Sequence, residues 1–274
     1  MSYKDLLVHI DPGERSLARL DVALDVAQRF SARLTGLFGQ SDPHVLIPAS
    51  RDPAAALGSI AADSEALFRN KAAAANVPVE WATAMTVNDT ELVKRLLFAA
   101  RNADLTILGQ HDPRAHDVSG PPDLVEQIVL NSGRPVLVVP YAGYFATVGE
   151  RVMVAWNSGR EAARALHDAL PFLAHAKHVI LIAINPDLGR KEYGEEPFGP
   201  TRHHLAAHGI EAEGEALWVE DVRAMDMLLS RLTDEGIDLL VMGAHGHYGF
   251  PYLHRGGSTR EILGHMTVPV LMSH

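Results

Sequence analysis

Short apolar segments alternate with amphipathic segments along the whole chain. Segments such as Val136–Val139 and Leu239–Met242 are apolar throughout, the pattern of strands that a parallel sheet buries on both faces. The segment Glu14–Ser31 instead carries apolar residues at helical spacing. Its predicted buried face holds Leu17, Leu20, Leu24, Ala27 and Phe30. Alternation of this kind predicts an α/β protein with doubly wound parallel sheets.

The predicted elements of the first half recur in the second. First-half strands are predicted at Asp5–Ile10, Leu34–Phe38, Val79–Ala84, Leu105–Leu108 and Val136–Val139. The helices are predicted at Glu14–Ser31, Asp52–Ala75, Asp89–Asn102 and Asp123–Asn131. Second-half strands are predicted at Val152–Trp156, Val179–Ile184, Ile210–Trp218, Leu239–Met242 and Val268–Met272. Their helices are predicted at Arg160–Ala174, Thr201–His208, Val222–Glu235 and Thr259–Met266.

The sequence also repeats itself directly. Ala103–Gly109 resembles Ile237–Gly243, and Arg134–Val138 resembles Val268–Met272, each pair lying 134 residues apart. A repeat this long indicates duplicated domains, because the units of a solenoid run to only ~20–50 residues. We therefore predict two five-stranded domains, residues 1–142 and residues 148–274.

Composition restricts the class of protein. The chain of 274 residues has a net charge near −10 and no cysteine. The acidic balance argues against a nucleic-acid partner, and the lack of cysteine excludes disulfides, thiolate catalysis and cysteine-bound zinc. The sequence carries neither a signal-peptide pattern nor an apolar run of ~18 residues, so no membrane association is expected and the location is predicted to be cytoplasmic.

A glycine-rich loop follows the fourth predicted strand of the second half. Gly243 ends the strand, further glycines follow at 246, 249, 256 and 257, and Ser258-Thr259 opens the next helix. Glycines let backbone N–H groups approach a ligand, and a helix start adds unpaired donors at the positive end of its dipole. This loop is therefore a candidate phosphate site.

The loop and its strands resemble the universal stress protein family in tandem form. The family pattern is G-x-x-G, about nine residues, then a glycine with Ser or Thr, and here it reads Gly243-Ala-His-Gly246, nine residues, then Gly256-Gly257-Ser258. The resemblance implies the strand order 3-2-1-4-5 in each domain. It also implies pairing through the fifth strands, which in a tandem chain gives an intramolecular pseudo-dimer, and a homodimer is a further expectation.

The resemblance implies that the second half binds ATP or another adenine nucleotide, with or without Mg²⁺, as a regulatory ligand. Asn157 stands where ATP-binding members have an aspartate that contacts the nucleoside, so the hydrogen-bonding capacity remains and the charge is lost. His245 and His247 are expected as loop side chains that contact phosphate. The implied nucleotide-binding residues are Ala155, Trp156, Asn157, Ala183, Gly243, His245, Gly246, His247, Gly256, Gly257, Ser258 and Thr259.

The first half keeps Asp11 and Gly109 but departs from the loop pattern. Asp112, Pro122 and Asp123 replace Gly246, Gly256 and Gly257, and Leu124 replaces Ser258. Proline lacks an N–H donor, and the two carboxylates oppose a phosphate by charge. We expect a degenerate, structural domain.

Simpler interpretations remain for each feature. The glycines could form a tight turn, and Ser258, Asn157 and Asp11 could each cap a helix. His245, His247 and His254, or His203, His204 and His208, could bind a metal, although no metal site is predicted. Trp81, Trp156 and Trp218 are expected in the core. The alternative function is a stress-response scaffold that binds no nucleotide. No catalytic residue is predicted, and at most slow ATP hydrolysis is expected.

Overall fold

The two halves of the chain fold as separate units, each with its own apolar core. The computed structural model describes residues 2–41, 52–114, 120–186, 197–220, 222–246 and 257–274. The chain divides into Ser2–Ala146 and Thr147–His274, called the N-terminal domain and the C-terminal domain below.

Strands and helices alternate through both domains. In the N-terminal domain the order is β1 (Asp5–Ile10), α1 (Ser16–Phe30), β2 (Arg33–Ser41), α2 (Pro53–Ala74), β3 (Val79–Thr86), α3 (Asp89–Ala100), β4 (Leu105–Gly109), α4 (Leu124–Ser132) and β5 (Val136–Val139). In the C-terminal domain it is β6 (Arg151–Ala155), α5 (Arg160–Leu173), β7 (His178–Ile184), α6 (Gly199–Ala207), β8 (Glu213–Leu217), α7 (Ala224–Asp234), β9 (Leu239–Gly243), α8 (Gly257–His265) and β10 (Val270–Ser273).

Each domain contains a parallel five-stranded sheet. The N-terminal order is β3-β2-β1-β4-β5, and the C-terminal order is β8-β7-β6-β9-β10. Both correspond to 3-2-1-4-5, so the predicted fold class is confirmed. No helix within the described ranges has the length and apolar character needed to cross a bilayer.

The central strands form the core of each domain because helices cover both faces of the sheet. Leu6 and Ile107 in the first domain and Val154 and Val241 in the second are fully buried. Burial of this kind stabilises each domain by ~25 cal/mol for every Å² of apolar surface removed from water. Continuous apolar runs are therefore the expected sequence of these strands.

Two expectations about buried side chains are wrong. Leu17 was assigned to the buried face of α1, but it is 43% exposed, whereas Arg19 two residues later is buried. Trp218 was assigned to the core, but it lies just beyond the end of β8 and is 61% exposed. Trp81 and Trp156, also expected in the core, are half-buried, and the Trp81 ring lies 5.4 Å from that of Phe68.

The repeated aspartate before the fourth strand ties the start of the first strand to its neighbour. Asp238 accepts hydrogen bonds from the backbone N–H groups of Gly149, Glu150 and Arg151 at 2.9–3.1 Å and from the Thr147 hydroxyl at 2.8 Å. Its counterpart Asp104 accepts two, from the N–H groups of residues 4 and 5. The repeat therefore preserves a structural bond and not a ligand contact.

We expect Asp238→Ala to lower the free energy of unfolding of the C-terminal domain by about 2 kcal/mol, because partly buried N–H donors lose a charged acceptor. Urea denaturation measures the change. The control is Asp234→Ala, which removes an exposed carboxylate 3.8 Å from Arg231 and should cost less than about 0.5 kcal/mol. Equal losses in the two variants would contradict the proposed role of Asp238.

Candidate functional site

The carboxyl ends of β6 and β9 meet at one edge of the C-terminal sheet. The strands are parallel neighbours with Ala155 opposite Met242, so Asn157 and the Gly243–Gly246 segment leave the sheet side by side. From β6 the chain passes through α5 to β7, and from β9 it passes through α8 to β10 on the other side of the pair. Ligand sites of doubly wound sheets form at this reversal of strand order.

Gly243 is required by helix packing. A Cβ atom at this position would lie 2.5 Å from the Glu161 carbonyl carbon and 2.6 Å from the Ala162 nitrogen. Any side chain would therefore collide with the backbone of the first turn of α5. Gly243 was predicted to contact phosphate, and its immediate role is to let α5 approach the end of β9.

His245 and Thr259 fix the start of the loop. His245 has a left-handed backbone, with φ at 54°, and its N–H donates to the Thr259 hydroxyl at 2.9 Å. Thr259 lies in the first turn of α8 and is buried. Both residues were predicted to contact a nucleotide, but this hydrogen bond already uses the His245 N–H and gives Thr259 a structural role.

Gly246 opens directly onto two polar side chains. A Cβ atom placed on it would lie 3.5 Å from Glu161 Oε2 and 3.9 Å from Asn157 Nδ2, which are ordinary contact distances. The φ angle of Gly246 lies outside the left-handed region, so its backbone does not require glycine. The missing side chain instead leaves this edge of the site accessible.

Asn157 shapes the turn between β6 and α5. Its Oδ1 accepts the N–H of Gly159 at 2.9 Å, an Asx turn. The N-cap residue of α5 is Gly159, and no side chain caps the N–H groups of the first helical turn, so the alternative in which Asn157 is the helix cap is wrong. The same is true of Asp11, since the N-cap of α1 is Arg15 and also has no side-chain cap.

The residues predicted to surround a base lie at the ends of β6 and β7. Ala155 ends β6, Ala183 is buried in β7, and the Trp156 N–H donates to the Ile182 carbonyl at 2.8 Å. The indole Nε1 of Trp156 is buried, and no residue in the described part of the chain accepts its hydrogen. A buried donor without an acceptor costs about 1–3 kcal/mol.

Glu161 is the residue of this site that the sequence did not reveal. Its side chain is only 4% exposed, and its Oε1 accepts the Nε–H of Arg160 at 2.6 Å. Burial raises the pKa of Glu161, but the hydrogen bond from Arg160, the Glu161 backbone N–H and the charges of Arg160 and His274 outweigh it, and the pKa is lowered. A glutamate in a first helical turn is ordinary helix-start chemistry, so the pattern gave no sign of its position beside Gly246.

The remaining predicted residues are only partly accounted for. Gly257 and Ser258 begin α8 and are half-buried. His247 and Gly256 lie outside the described residues, as does His254 of the alternative metal cluster. In the part of the chain that the structure describes, no three His, Asp or Glu side chains gather as a metal site, and the rings of His204 and His208 meet edge to face at 4.9 Å.

Arg19 occupies the equivalent edge of the N-terminal domain. Its Nε donates to the His9 carbonyl at 2.6 Å, and its Nη2 pairs with the Asp11 carboxylate and contacts Ser16 Oγ at 3.1 Å. A Cβ atom on Gly109 would lie 2.1 Å from Arg19 Nη1. A buried guanidinium therefore lies directly against the glycine that corresponds to Gly243.

Larger side chains and an altered loop also distinguish the N-terminal sheet edge from the C-terminal one. His9 is opposite Leu37 as Ala155 is opposite Ile182, so the fully buried Phe38 stands at the position of Ala183. Asp112 binds its own loop, accepting the Arg114 N–H at 3.0 Å, and this hydrogen bond is the main reason that its pKa is lowered. The N-terminal edge is filled by the domain's own side chains.

Comparisons with known proteins agree with this architecture. The model of the universal stress protein family matches residues 149–274. The curated universal stress protein Slr1230 of Synechocystis sp. is 26% identical over 178 residues, which are 61% of this chain and 57% of that protein. The chain therefore spans little more than half the length of this relative.

Two solved structures share the fold across nearly the whole chain. A universal stress protein from Archaeoglobus fulgidus DSM 4304 has a TM-score of 0.72 at 17% identity, covering 98% of this chain and 97% of its own. A functionally unknown protein from Pseudomonas aeruginosa PAO1 has a TM-score of 0.60 at 17% identity, covering 99% and 92%.

The fold and the site edge define a tandem pair of doubly wound α/β domains with a glycine loop in the second. The C-terminal domain belongs to the universal stress protein family, and the N-terminal domain repeats its fold. The resemblance inferred from the sequence is thus confirmed.

Removing Arg19 should destabilise the N-terminal domain strongly. We expect Arg19→Met to lower its free energy of unfolding by about 3 kcal/mol, because the largely buried Asp11 carboxylate loses its partner. Arg69→Met is the control: it breaks an exposed pair with Glu65 and should cost about 0.5 kcal/mol or less. Chemical denaturation measures both, and a loss below 1 kcal/mol for Arg19→Met would contradict the role of the buried pair.

His9 should make the stability of the N-terminal domain dependent on pH. Burial lowers its pKa to about 4, an effect that nearby Asp11 only partly opposes. The unfolded chain, with an ordinary histidine pKa of 6.5, binds the proton first as the pH falls. The stability that the neutral His9 ring contributes to the N-terminal domain is therefore fully present above pH 6.5 and is lost progressively as the pH falls to about 4.

The expected loss is about 3 kcal/mol, since one pKa unit corresponds to about 1.4 kcal/mol. His9→Gln lacks a titrating ring and should flatten the pH profile in this range, whereas the exposed control His167→Gln should leave it as in the wild type. Unfolding free energies measured from pH 7 to pH 4 decide the matter, and parallel profiles for wild type and His9→Gln would count against it.

Proposed function

We propose that the C-terminal domain binds one adenine nucleotide as a regulatory ligand and that the N-terminal domain binds none. The observation that carries this proposal is the contrast between the two equivalent sheet edges. Arg19, His9 and Phe38 fill the first, whereas the second combines small residues at 155 and 183 with a glycine that opens onto Asn157. The membership of residues 149–274 in the universal stress protein family supports the same assignment.

The site offers a donor or acceptor to each part of a nucleotide. The buried indole N–H of Trp156 lacks an acceptor among the described residues and suits a base nitrogen. Asn157 places its amide Nδ2, a hydrogen-bond donor, on the Gly246 side, where a nucleotide hydroxyl or phosphate oxygen would meet it. The first turn of α8 supplies N–H groups at the positive end of a helix dipole.

A second function has one specific observation in its favour. Glu161 presents a buried carboxylate to the glycine loop, which opposes a phosphate at that point. A stress-response scaffold that binds no nucleotide would need no phosphate site. The resemblance also predicts a pseudo-dimer of the two halves, a homodimer and Mg²⁺ with the nucleotide. The cytoplasmic location remains a prediction from the lack of a signal-peptide pattern and of a long apolar run.

Gly246→Asp tests the proposed site. It copies into the second domain the residue that the first domain has at Asp112 and places a carboxylate beside Glu161. We expect nucleotide affinity to fall at least tenfold, which corresponds to ~1.4 kcal/mol. Isothermal titration of the whole chain with AMP, ADP and ATP measures the affinity and the number of sites.

Gly246→Ala is the matched control, because its Cβ fits at 3.5 Å from the nearest atom. Its melting temperature should match the wild type, with a stability change within about 1 kcal/mol, and its affinity should fall less than that of Gly246→Asp. Two equivalent sites per chain would overturn the asymmetry, and unchanged affinity in Gly246→Asp would remove this loop from the site.

A further inference from the structure

A buried carboxylate lies where a ligand would meet the glycine loop. Glu161 Oε2 is 3.5 Å from the position of a Cβ atom on Gly246 and 3.5 Å from that on Gly159. The side chain is 4% exposed, so it is held in place by its surroundings. A ligand atom that takes the space beside Gly246 therefore contacts this carboxylate.

The charge of Glu161 is retained at neutral pH. Arg160 binds the other oxygen, Oε1, through its Nε at 2.6 Å, so the atom on the loop side is Oε2. Burial opposes ionisation, but Arg160 and the local N–H group lower the pKa of Glu161 below its ordinary value. Arg160 itself is mostly exposed, so solvent screens its charge more than that of Glu161.

The fold does not require an acid at this position. Asn157 follows Asp11 by 146 residues, and the same spacing places Glu161 at the position of Arg15 in the N-terminal domain. Arg15 is exposed and has the opposite charge, although α1 and α5 occupy equivalent places in their sheets. The carboxylate is therefore a property of this site and not of the architecture.

We propose that Glu161 makes the C-terminal site select adenine nucleotides by phosphate charge, favouring the monophosphate over the triphosphate. The inference rests on the proposed function, since it concerns the same site. Each added phosphate brings negative charge toward a fixed carboxylate in a partly water-excluded space, where like charges repel more strongly than in bulk water. The uncharged nucleoside end does not encounter this repulsion, so base recognition is preserved.

The experiment compares AMP, ADP and ATP, each titrated calorimetrically into the whole chain without divalent cations. The wild type should bind AMP at least tenfold more tightly than ATP, with ADP between them. Glu161→Gln keeps the shape and removes the charge, so it should raise ATP affinity at least tenfold and change AMP affinity less than threefold. Glu150→Gln is the control, because it removes a carboxylate at the opposite end of β6, and it should leave all three affinities unchanged.

The outcomes separate the two proposals. Equal affinities for AMP and ATP in the wild type, or an equal change for all three ligands in Glu161→Gln, would overturn charge selection and leave nucleotide binding intact. Failure of both proteins to bind any of the three would overturn the proposed function and this inference with it.

A second measurement uses only the wild type and does not depend on how the variant folds. Raising the ionic strength from about 0.05 M to about 0.5 M shortens the Debye length to a few Å and should narrow the gap between AMP and ATP. A gap that widens across this range would overturn the electrostatic origin of the selection, because screening by salt can only weaken repulsion between like charges.

Discussion

The close approach of a neighbouring group to the glycine that ends the fourth strand is the constraint on which both domains depend. In the C-terminal domain the backbone of α5 comes within 2.5 Å of where a Gly243 side chain would begin. In the N-terminal domain the Arg19 guanidinium comes within 2.1 Å of the same point on Gly109. The glycine is common to the two halves because each needs the space, and the group that takes the space decides what else the site edge can hold.

The two ways of filling the space beside this glycine have different energetic consequences. The Arg19–Asp11 pair is largely removed from water, so its desolvation cost is offset only while each charge keeps its partners. Arg19 has them in the His9 carbonyl, the Asp11 carboxylate and the Ser16 hydroxyl. Helix packing against Gly243 places no cation at that point and instead carries Glu161 to the loop. The N-terminal edge is thereby filled by the Arg19–Asp11 pair, whereas the C-terminal edge has the ionised Glu161 beside Gly246.

The sequence predicted the sheets well and the site edge poorly, for a physical reason. Strands such as β1 and β5 were located at their observed bounds because both faces are buried, and burial leaves a continuous apolar run in the sequence. Arg19 and Glu161 were missed because their roles arise from contacts between segments far apart in the chain, with Gly109 and Gly246 respectively. Helical periodicity favoured Leu17 for the buried face, yet burial of Arg19 follows from the three polar contacts of its side chain and not from hydrophobicity. Trp218 was misassigned because an aromatic residue at the end of an edge strand has too few neighbours to cover it.

Duplication into units with separate cores allows this divergence. The structural bonds that hold each sheet, such as those of Asp104 and Asp238, recur in both halves because every copy of the fold needs them. Residues at the carboxyl edge meet no such requirement beyond the single glycine. The N-terminal domain can therefore have His9 at the position equivalent to Ala155, and Arg15 at the position equivalent to Glu161, without disturbing the strands. At the N-terminal edge Arg19 is bound by groups of the same domain, the His9 carbonyl, the Asp11 carboxylate and the Ser16 hydroxyl. At the C-terminal edge the buried indole N–H of Trp156 has no acceptor among the described residues, and the Glu161 carboxylate, paired with Arg160, lies beside Gly246, so the two copies of the fold carry different chemistry at equivalent places.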